Sequence, residues 1–206
     1  MTERLRLGRG QDEGVLDCAA STLSEGGLIV LPTDTIYGLA ALAADEAAVA
    51  RVYAAKGRAS DKKLPLLIAE PAELGLLAVE APDYATALTA RHWPGALTVV
   101  VRASSDVGPW LVDERGTIAI RCPGHRFVRE LARLVGPLAA TSANLSGGPD
   151  PRVVDEVPDA LVRAADIVVD GGPTAGVAST LVDCTGERPV VLRPGAVDLS
   201  DHPPDA

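Results

Sequence analysis

Apolar residues recur along the chain in two patterns. In some segments they are spaced three or four residues apart, as at Val15, Ala19 and Leu23, which is typical of a helix with one buried face. In others they form short continuous runs bounded by Gly or Pro, which are typical of buried strands. The spacing predicts helices over about 12–24, 46–56, 72–79, 83–92, 125–135 and 153–164. The runs predict strands over 28–31, 64–68, 96–102, 116–121, 167–169, 179–183 and 190–193, and a further strand is implied before Ser142.

Composition supports a mixed α/β fold. Hydrophobic residues make up 47% of the 206 residues but aromatic residues only 3%, so Ala, Val, Leu and Ile must build the core. A chain of this length suits a single domain. We expect a core over about 12–196 and a frayed tail over 197–206.

The sequence predicts a soluble cytoplasmic protein. Cys18, Cys122 and Cys184 are far apart and lack a CxxC spacing, so neither a disulfide framework nor a thiolate metal site is expected. The N-terminal residues lack the apolar run of a secretory signal, and no segment approaches the roughly 20 apolar residues that span a bilayer. The formal net charge of -9 argues against broad, sequence-independent binding of nucleic acid.

The lysines are concentrated in one short segment of this acidic chain. All three, Lys56, Lys62 and Lys63, lie within residues 55–65, together with Arg58. Because like charges repel at short distance, such a segment is destabilised unless an anion lies beside it. Phosphate oxygens would meet that need, since they accept strong hydrogen bonds from ammonium and guanidinium groups. A solvated basic surface loop explains the charge alone equally well.

The helix predicted over 46–56 carries Lys56 on its apolar face. Asp45 is a typical N-cap residue, and Gly57 is a typical helix terminator. Because Lys56 continues the apolar stripe of this helix, its spacing favours a side chain that points inward. The alternative is a lysine that complements the carboxyl end of the helix dipole, an effect worth at most about 1 kcal/mol.

Polar side chains stand at the ends of several predicted strands. Arg121 shares a strand face with Thr117, while Ser142 and Asn144, two residues apart, face one way in extended backbone. Judged singly, a strand-end arginine is often a surface residue, and a Ser/Asn/Gly segment is often an ordinary turn. If the ends converge, they form an anion-binding cleft that acts by positioning and charge neutralisation. The set comprises Thr35, Thr117, Arg121, Ser142, Asn144, Ser179 and Arg193.

Several familiar motifs are missing from the sequence. Neither GxxxxGK[ST] nor GxGxxG is present, so P-loop and Rossmann nucleotide binding are not indicated, and GxSxG is also absent. His92, His125 and His202 are scattered, and the first two lie beside Pro-Gly pairs, so local structure explains them as readily as catalysis does.

Seven short segments occur in order within residues 28–196. They are LPTDTIYGLA, AAKGR, PGALTVVV, TIAIRCPGH, AATSANLSG, ASTLVD and VVLRPGA. Each is a weak signal alone, but the ordered set covers most of the chain and is specific. Together the segments resemble those of the YrdC-like family of threonylcarbamoyl-AMP synthases.

The resemblance implies both a fold and a reaction. The fold is a single α/β domain with a twisted, mostly open mixed sheet flanked by helices, and the active cleft lies on that sheet. The reaction converts L-threonine, bicarbonate and ATP, with Mg²⁺, into L-threonylcarbamoyladenylate and pyrophosphate. A separate tRNA threonylcarbamoyl transferase complex would then use this product to modify the adenosine beside the anticodon.

The resemblance also implies residue roles, without assigning metal ligands or a general base. Lys56 and Arg58 would be the catalytic residues that bind the ATP phosphates, and Asp34 would orient its loop or assist a metal. Contacts with ATP are expected from Lys56, Arg58, Lys62, Lys63, Thr117, Ser142, Asn144 and Arg193. Contacts with L-threonine are expected from Thr35, Arg121, Ser179 and the backbone of Ala140, with the Arg121 guanidinium on the carboxylate.

Two other interpretations remain open. One is an RNA-binding module that uses the basic cleft for structured RNA, although the net charge and the few aromatic residues count against it. The other is a related carbamoyl-adenylate-forming module of hydrogenase maturation, which normally belongs to a larger chain with zinc-finger cysteines. Because the chain ends soon after Pro194 and Gly195, we expect the short form of the family. A weak direct contact with tRNA is a separate expectation.

Overall fold

Strands and helices alternate along the chain in a computed structural model that describes residues 2–8, 12–57 and 63–199. The strands are β1 (Glu3–Arg6), β2 (Ile29–Leu31), β3 (Gly38–Leu42), β4 (Leu66–Leu67), β5 (Leu97–Arg102), β6 (Thr117–Arg121), β7 (Leu138–Ser142), β8 (Ile167–Asp170), β9 (Thr180–Asp183) and β10 (Val190–Arg193). The α-helices are α1 (Asp12–Ser24), α2 (Glu46–Lys56), α3 (Leu74–Leu77), α4 (Asp83–His92), α5 (Arg126–Val135) and α6 (Asp159–Ala164). Single 3-10 turns occur at Pro71–Glu73, Pro109–Leu111 and Val154–Glu156.

The strands of the described residues form one mixed sheet. Its order is β1-β8-β2-β3-β7-β4-β6-β5-β9-β10, with β10 and β1 at the two edges. The β1–β8, β2–β8, β4–β6 and β5–β9 pairs are parallel, and the remaining pairs are antiparallel. The predicted α/β class with a mixed, open sheet is therefore confirmed.

Helices pack on both faces of the sheet but do not cover the two faces equally. On one face, α2, α4 and α6 build a core that extends from β8 to β9. On the other face, α1 and α5 pack on β8, β2, β3, β7 and β4. This second core contains no residue of β5, β6 or β9, so beyond β4 no helix of the described residues covers this face of the sheet.

Side-chain alternation directs polar residues to this uncovered half. Ile118 and Ile120 of β6 belong to the first core, so Thr117, Ala119 and Arg121 must point to the opposite face. The fold thus places the polar side of β6 on the half of the sheet that the helices of the described ranges do not cover.

The caps of α2 agree with the prediction from sequence. The Asp45 carboxylate accepts a hydrogen bond from the Ala48 backbone N–H at 2.9 Å, which satisfies one of the unpaired donors of the first turn. Gly57 ends the helix in the left-handed conformation, with φ of 59°. The predicted bounds of 46–56 are those observed.

Two strands were not predicted. The β1 strand is short and charged, and only Leu5 is partly buried, so it lacks an apolar run. The β3 strand follows the Pro32–Tyr37 segment directly, and its Gly and Ala residues have low intrinsic strand preference. Pairing with β2 and β7 on either side makes β3 a strand despite its composition.

Two predicted helices are broken by proline or end early. The helix predicted over 153–164 is a 3-10 turn followed by α6, because Pro158 lacks an N–H and disfavours helix in the residue before it. The helix predicted over 72–79 is a 3-10 turn and a single α-helical turn, after which Ala78 becomes extended and bridges to Ala103. The strand predicted over 64–68 is reduced to Leu66–Leu67.

Residues 197–199, the first three of the tail expected to fray, contact the rest of the domain. The Val197 N–H donates to Thr180 Oγ1 at 3.0 Å, and the Thr180 hydroxyl donates back to the Val197 carbonyl at 2.7 Å. Val197 and Leu199 pack against the first core. Residues 200–206, with His202, lie outside the described residues.

Within the part of the chain that the structure describes, no helix is both long enough and apolar enough to cross a membrane. Cys18, Cys122 and Cys184 are free thiols. Burial raises the pKa of Cys122 to about 11 and that of Cys184 to about 12, so both remain protonated at neutral pH.

We expect Asp45→Ala to lower the free energy of unfolding by about 1 kcal/mol, because it removes the N-cap of α2. Asp45→Asn is the matched control, since its side-chain oxygen still accepts from Ala48. Urea denaturation of both variants checks the prediction, and equal losses in the two would show that the cap is not the cause.

Candidate functional site

A cleft of about 240 Å³ lies on the uncovered half of the sheet. Its wall combines the Thr33–Gly38 segment with residues of β4, β5, β6, β7 and β9, so most of it comes from strands and strand ends. Seven of the residues predicted from sequence line it, namely Thr35, Lys63, Arg121, Ala140, Ser142, Ser179 and Arg193.

Arg121 is buried at the wall of the cleft and held by three separate residues. Its Nε donates to the Gly95 carbonyl at 2.9 Å, its Nη1 to Thr35 Oγ1 at 2.8 Å, and its Nη2 to Asp34 Oδ1 at 2.6 Å. A guanidinium has five N–H groups, so two of them make no hydrogen bond to the described residues. Burial lowers the pKa of Arg121, whereas the charge and hydrogen bond of Asp34 act to raise it.

Asp34 is the counter-ion of Arg121. The exposed fractions of the two side chains are 7% for Arg121 and 22% for Asp34, so this ion pair is largely withdrawn from water. The backbone of the Pro123-Gly124 turn runs close to Asp34, since a Cβ at Gly124 would lie 3.0 Å from Asp34 Oδ2. The sequence indicated a loop-orienting or metal-assisting role for Asp34 but gave no sign of this pairing.

Lys56 points inward, as its place on the apolar stripe predicts. Its ammonium donates to the Ser142 carbonyl at 2.7 Å, to Asn144 Oδ1 at 3.0 Å and to Thr141 Oγ1 at 3.1 Å. It is not among the residues that line the cleft, and it lies behind the turn that follows β7. In this structure Lys56 therefore holds the cleft wall, and its contact with phosphate stays a prediction.

The turn after β7 orients the polar groups of Ser142 and Asn144. Ser142 Oγ donates to Asn144 Oδ1 at 2.7 Å, which agrees with the prediction that the two side chains face one way. The Asn144 amide donates from Nδ2 to the Gly148 carbonyl at 2.7 Å and to Asp150 Oδ1 at 3.1 Å. These bonds direct Asn144 Oδ1 toward Lys56 and leave Asp150 lining the cleft.

Ser179 and Arg193 meet at the opposite wall. Arg193 Nη2 donates to the Ser179 carbonyl at 2.9 Å, and Ser179 Oγ lies 2.8 Å from Thr98 Oγ1. Thr98 was missed because its strand reads as one apolar run. Alternation could have found it, since Leu97 and Val99 belong to the first core and Thr98 must then face the cleft.

The remaining predicted residues have different outcomes. Lys63 lines the cleft, with Nζ donating to the Trp110 carbonyl at 3.2 Å, whereas Arg58 and Lys62 lie outside the described residues. The Ala140 N–H already donates to the Pro65 carbonyl at 3.0 Å, so that donor is not available to a ligand.

Thr117 does not line the cleft, although it shares a strand face with Arg121. Its hydroxyl donates to Asp113 Oδ2 at 2.8 Å. Burial acts to raise the pKa of Asp113, but hydrogen bonds from Thr117 and Arg115 outweigh it and lower that pKa below its usual value. The assignment of Thr117 to the nucleotide stays a prediction.

The described residues contain no group of three or more His, Cys, Asp or Glu side chains that could hold a metal ion by themselves. Asp150 is the carboxylate among the residues that line the cleft. Mg²⁺ is commonly bound by one or two carboxylates together with substrate phosphates and water. The donor set therefore fits a magnesium ion that arrives with a phosphate ligand.

Cationic and hydroxyl donors lie together on an open sheet face of an α/β protein, an arrangement suited to an anionic ligand. The model of the Sua5/YciO/YrdC family, described as "Telomere recombination", matches residues 21–195. The chain therefore belongs to this family.

Curated relatives of the chain carry the name of one enzyme. This chain is 41% identical over 192 residues to the threonylcarbamoyl-AMP synthase of Pyrococcus abyssi. The match covers 92% of this chain and 56% of the relative. The chain is also 41% identical to the putative threonylcarbamoyl-AMP synthase of Mycobacterium tuberculosis, covering 87% of this chain and 83% of that protein. The chain thus spans little more than half the length of the archaeal relative.

A solved structure shares the fold. The crystal structure of P. abyssi Sua5 complexed with L-threonine superimposes with a TM-score of 0.90 at 39% identity. The superposition covers 98% of this chain and 59% of the Sua5 chain.

We expect Asp34→Ala to lower the free energy of unfolding by about 2 kcal/mol. Arg121 would then be a buried cation without its counter-ion, and the loss stays below the roughly 3–5 kcal/mol of a broken, fully buried pair because Asp34 is partly exposed. Asp106→Ala is the control, since Asp106 is an exposed aspartate without an ion pair among the described residues. If denaturant titrations give both variants the free energy of unfolding of the wild type, the Asp34–Arg121 ion pair does not stabilise the fold.

Proposed function

We propose that this protein is a threonylcarbamoyl-AMP synthase, which forms L-threonylcarbamoyladenylate and pyrophosphate from L-threonine, bicarbonate and ATP. The observation that carries the proposal is the buried Arg121, with two N–H groups that make no hydrogen bond to the described residues, in a cleft that also holds Arg193 and Lys63. A small carboxylate and a polyphosphate can then be bound side by side. Membership of the family and the relatives named above support the same activity.

Threonine is proposed to bind at the Arg121 end of the cleft. The guanidinium would pair with the substrate carboxylate, because its planar N–H groups match the two carboxylate oxygens. Thr35 is bonded to Arg121, and Ser179 also lines the cleft, so both offer hydroxyl groups, while the Ala140 side chain supplies apolar surface. The complex of P. abyssi Sua5 with L-threonine supports the same ligand for this cleft.

ATP is proposed to contact Ser142, Lys63 and Arg193, which also line the cleft. The Lys56 ammonium donates to the Ser142 carbonyl and to Asn144 Oδ1. To bind a phosphate, it would have to give up one of these hydrogen bonds. Arg58, Lys62 and Thr117 are retained as nucleotide contacts on the resemblance of their segments alone. Mg²⁺ held by Asp150 and the phosphates would neutralise charge on the triphosphate.

The reaction needs positioning more than acid–base chemistry. The threonine amine would form a bond to the carbon of bicarbonate and give up a proton, with which the bicarbonate hydroxyl leaves as water, so that an N-carboxylate results. If bicarbonate first loses its hydroxyl to give carbon dioxide, the amine adds to that carbon and releases a proton to give the same product. A carboxylate oxygen would then attack the α-phosphorus as the bond to pyrophosphate breaks. Lys63, Arg193 and the buried Lys56 would stabilise the charge that develops on the leaving group. No side chain of the cleft is assigned as a general base.

The proposed product is a mixed anhydride and therefore an activated carbamoyl donor. We propose that it is consumed in the cytoplasm by a tRNA threonylcarbamoyl transferase complex. Direct contact of this protein with tRNA is not required for that transfer.

Mass spectrometry after incubation with all three substrates tests the activity. We expect threonylcarbamoyl-AMP to form, and pyrophosphate release to require both L-threonine and bicarbonate. Pyrophosphate release that does not depend on threonine would contradict the proposal.

We expect Arg193→Met to raise the KM for ATP by about tenfold or more, because it removes a charge-assisted donor from the cleft. Arg188→Met is the matched control, since Arg188 is an exposed arginine that does not line the cleft. Steady-state kinetics in which the two variants behave alike would remove Arg193 from the nucleotide site.

A further inference from the structure

Thr33 is a buried residue of the cleft wall that has no assigned role. Its hydroxyl donates to the Ile36 carbonyl at 2.7 Å. A hydroxyl carries one proton and a carbonyl oxygen can only accept, so this bond uses the single donor of Thr33. In every other contact, Thr33 Oγ1 must therefore act as an acceptor.

This restriction fixes the direction of the contact between Thr33 and Thr35. The two hydroxyl oxygens lie 2.9 Å apart. Because the Thr33 proton is directed to the Ile36 carbonyl, we assign the Thr35 hydroxyl as the donor in this contact. The backbone N–H groups of Thr35 and Ile36 approach the same Thr33 oxygen at the longer distances of 3.1 Å and 3.2 Å.

Thr35 is constrained from a second side by Arg121. The Nη1 of Arg121 donates to Thr35 Oγ1 at 2.8 Å, which uses one of the two lone pairs of that oxygen. The proton of Thr35 is used by Thr33. One lone pair, and no donor, is then left for a ligand. The backbone of Thr35 is also held, since its carbonyl accepts from the Gly176 N–H at 2.7 Å.

We propose that Thr33 is a positioning residue that makes Thr35 an obligate acceptor, so that Thr35 recognises a hydrogen-bond donor of the amino acid substrate. This inference rests on the proposed function, because it assumes that the cleft binds L-threonine. A carboxylate oxygen is not a donor, so Thr35 does not bind the substrate carboxylate, which is left to Arg121. The partner of Thr35 is the amino group or the β-hydroxyl, and both groups share the required chemistry.

The test is calorimetric titration of L-threonine into the wild type, Thr33→Val and Thr33→Ser. Valine removes the acceptor for the Thr35 proton at nearly constant shape, so Thr35 is free to turn its proton toward the ligand. We expect Thr33→Val to bind threonine about tenfold more weakly, and Thr33→Ser to restore most of the affinity. Unchanged affinity for ATP in the same variants checks that the fold is intact.

Titration of L-2-aminobutyrate, which lacks the β-hydroxyl, identifies the donor. An equal loss for both ligands in Thr33→Val assigns the amino group, whereas a loss confined to threonine assigns the hydroxyl. Threonine affinity equal to that of the wild type in Thr33→Val would overturn the inference. A wild type that does not bind threonine at all would instead overturn the proposed function, and the inference with it.

Neutron diffraction of the deuterated wild type locates the hydroxyl deuterium of Thr35 directly, without any substitution. We expect the deuterium of Thr35 to lie between Thr35 Oγ1 and Thr33 Oγ1. A deuterium on Thr35 that points into the cleft would overturn the proposal.

Discussion

The site depends on the cost of keeping a guanidinium away from water. A buried cation is tolerated only if its N–H groups find acceptors and its charge finds a partner. Arg121 obtains these from Gly95, Thr35 and Asp34, which belong to two segments far apart in sequence from each other and from β6. The same three bonds that stabilise Arg121 therefore fix the Thr33–Gly38 segment and the turn before β5 at the edge of the cleft.

The cleft itself follows from an incomplete helical layer. The helices α1 and α5 pack on one half of a sheet face and do not cover β5, β6 and β9. Since side chains of adjacent strands alternate in step, Thr98, Ala119 and Leu181 reach this uncovered half together. At the boundary between the two halves, Lys56 holds the end of β7 through hydrogen bonds to Thr141 Oγ1 and the Ser142 carbonyl. The position of the site is thus set by which strands the helices leave open.

Local patterns predicted much of this arrangement. Helical spacing indicated that Lys56 points inward, and the two-residue separation of Ser142 and Asn144 indicated that their side chains meet. What local patterns could not show were contacts between distant segments. The pairing of Asp34 with Arg121 joins residues 87 positions apart, and β3 becomes a strand only because β2 and β7 flank it. Thr98 was not predicted as a cleft residue because it is a single polar residue in an otherwise apolar strand.

We propose that Arg121 anchors the carboxylate of a small amino acid. A calorimetric comparison of L-threonine with L-threoninol, in which a hydroxymethyl group replaces the carboxylate, tests it most directly. The account predicts that the protein binds threonine and that threoninol binds at least about tenfold more weakly. Equal affinity for the two ligands would contradict it, because the buried guanidinium would then contribute nothing to recognition.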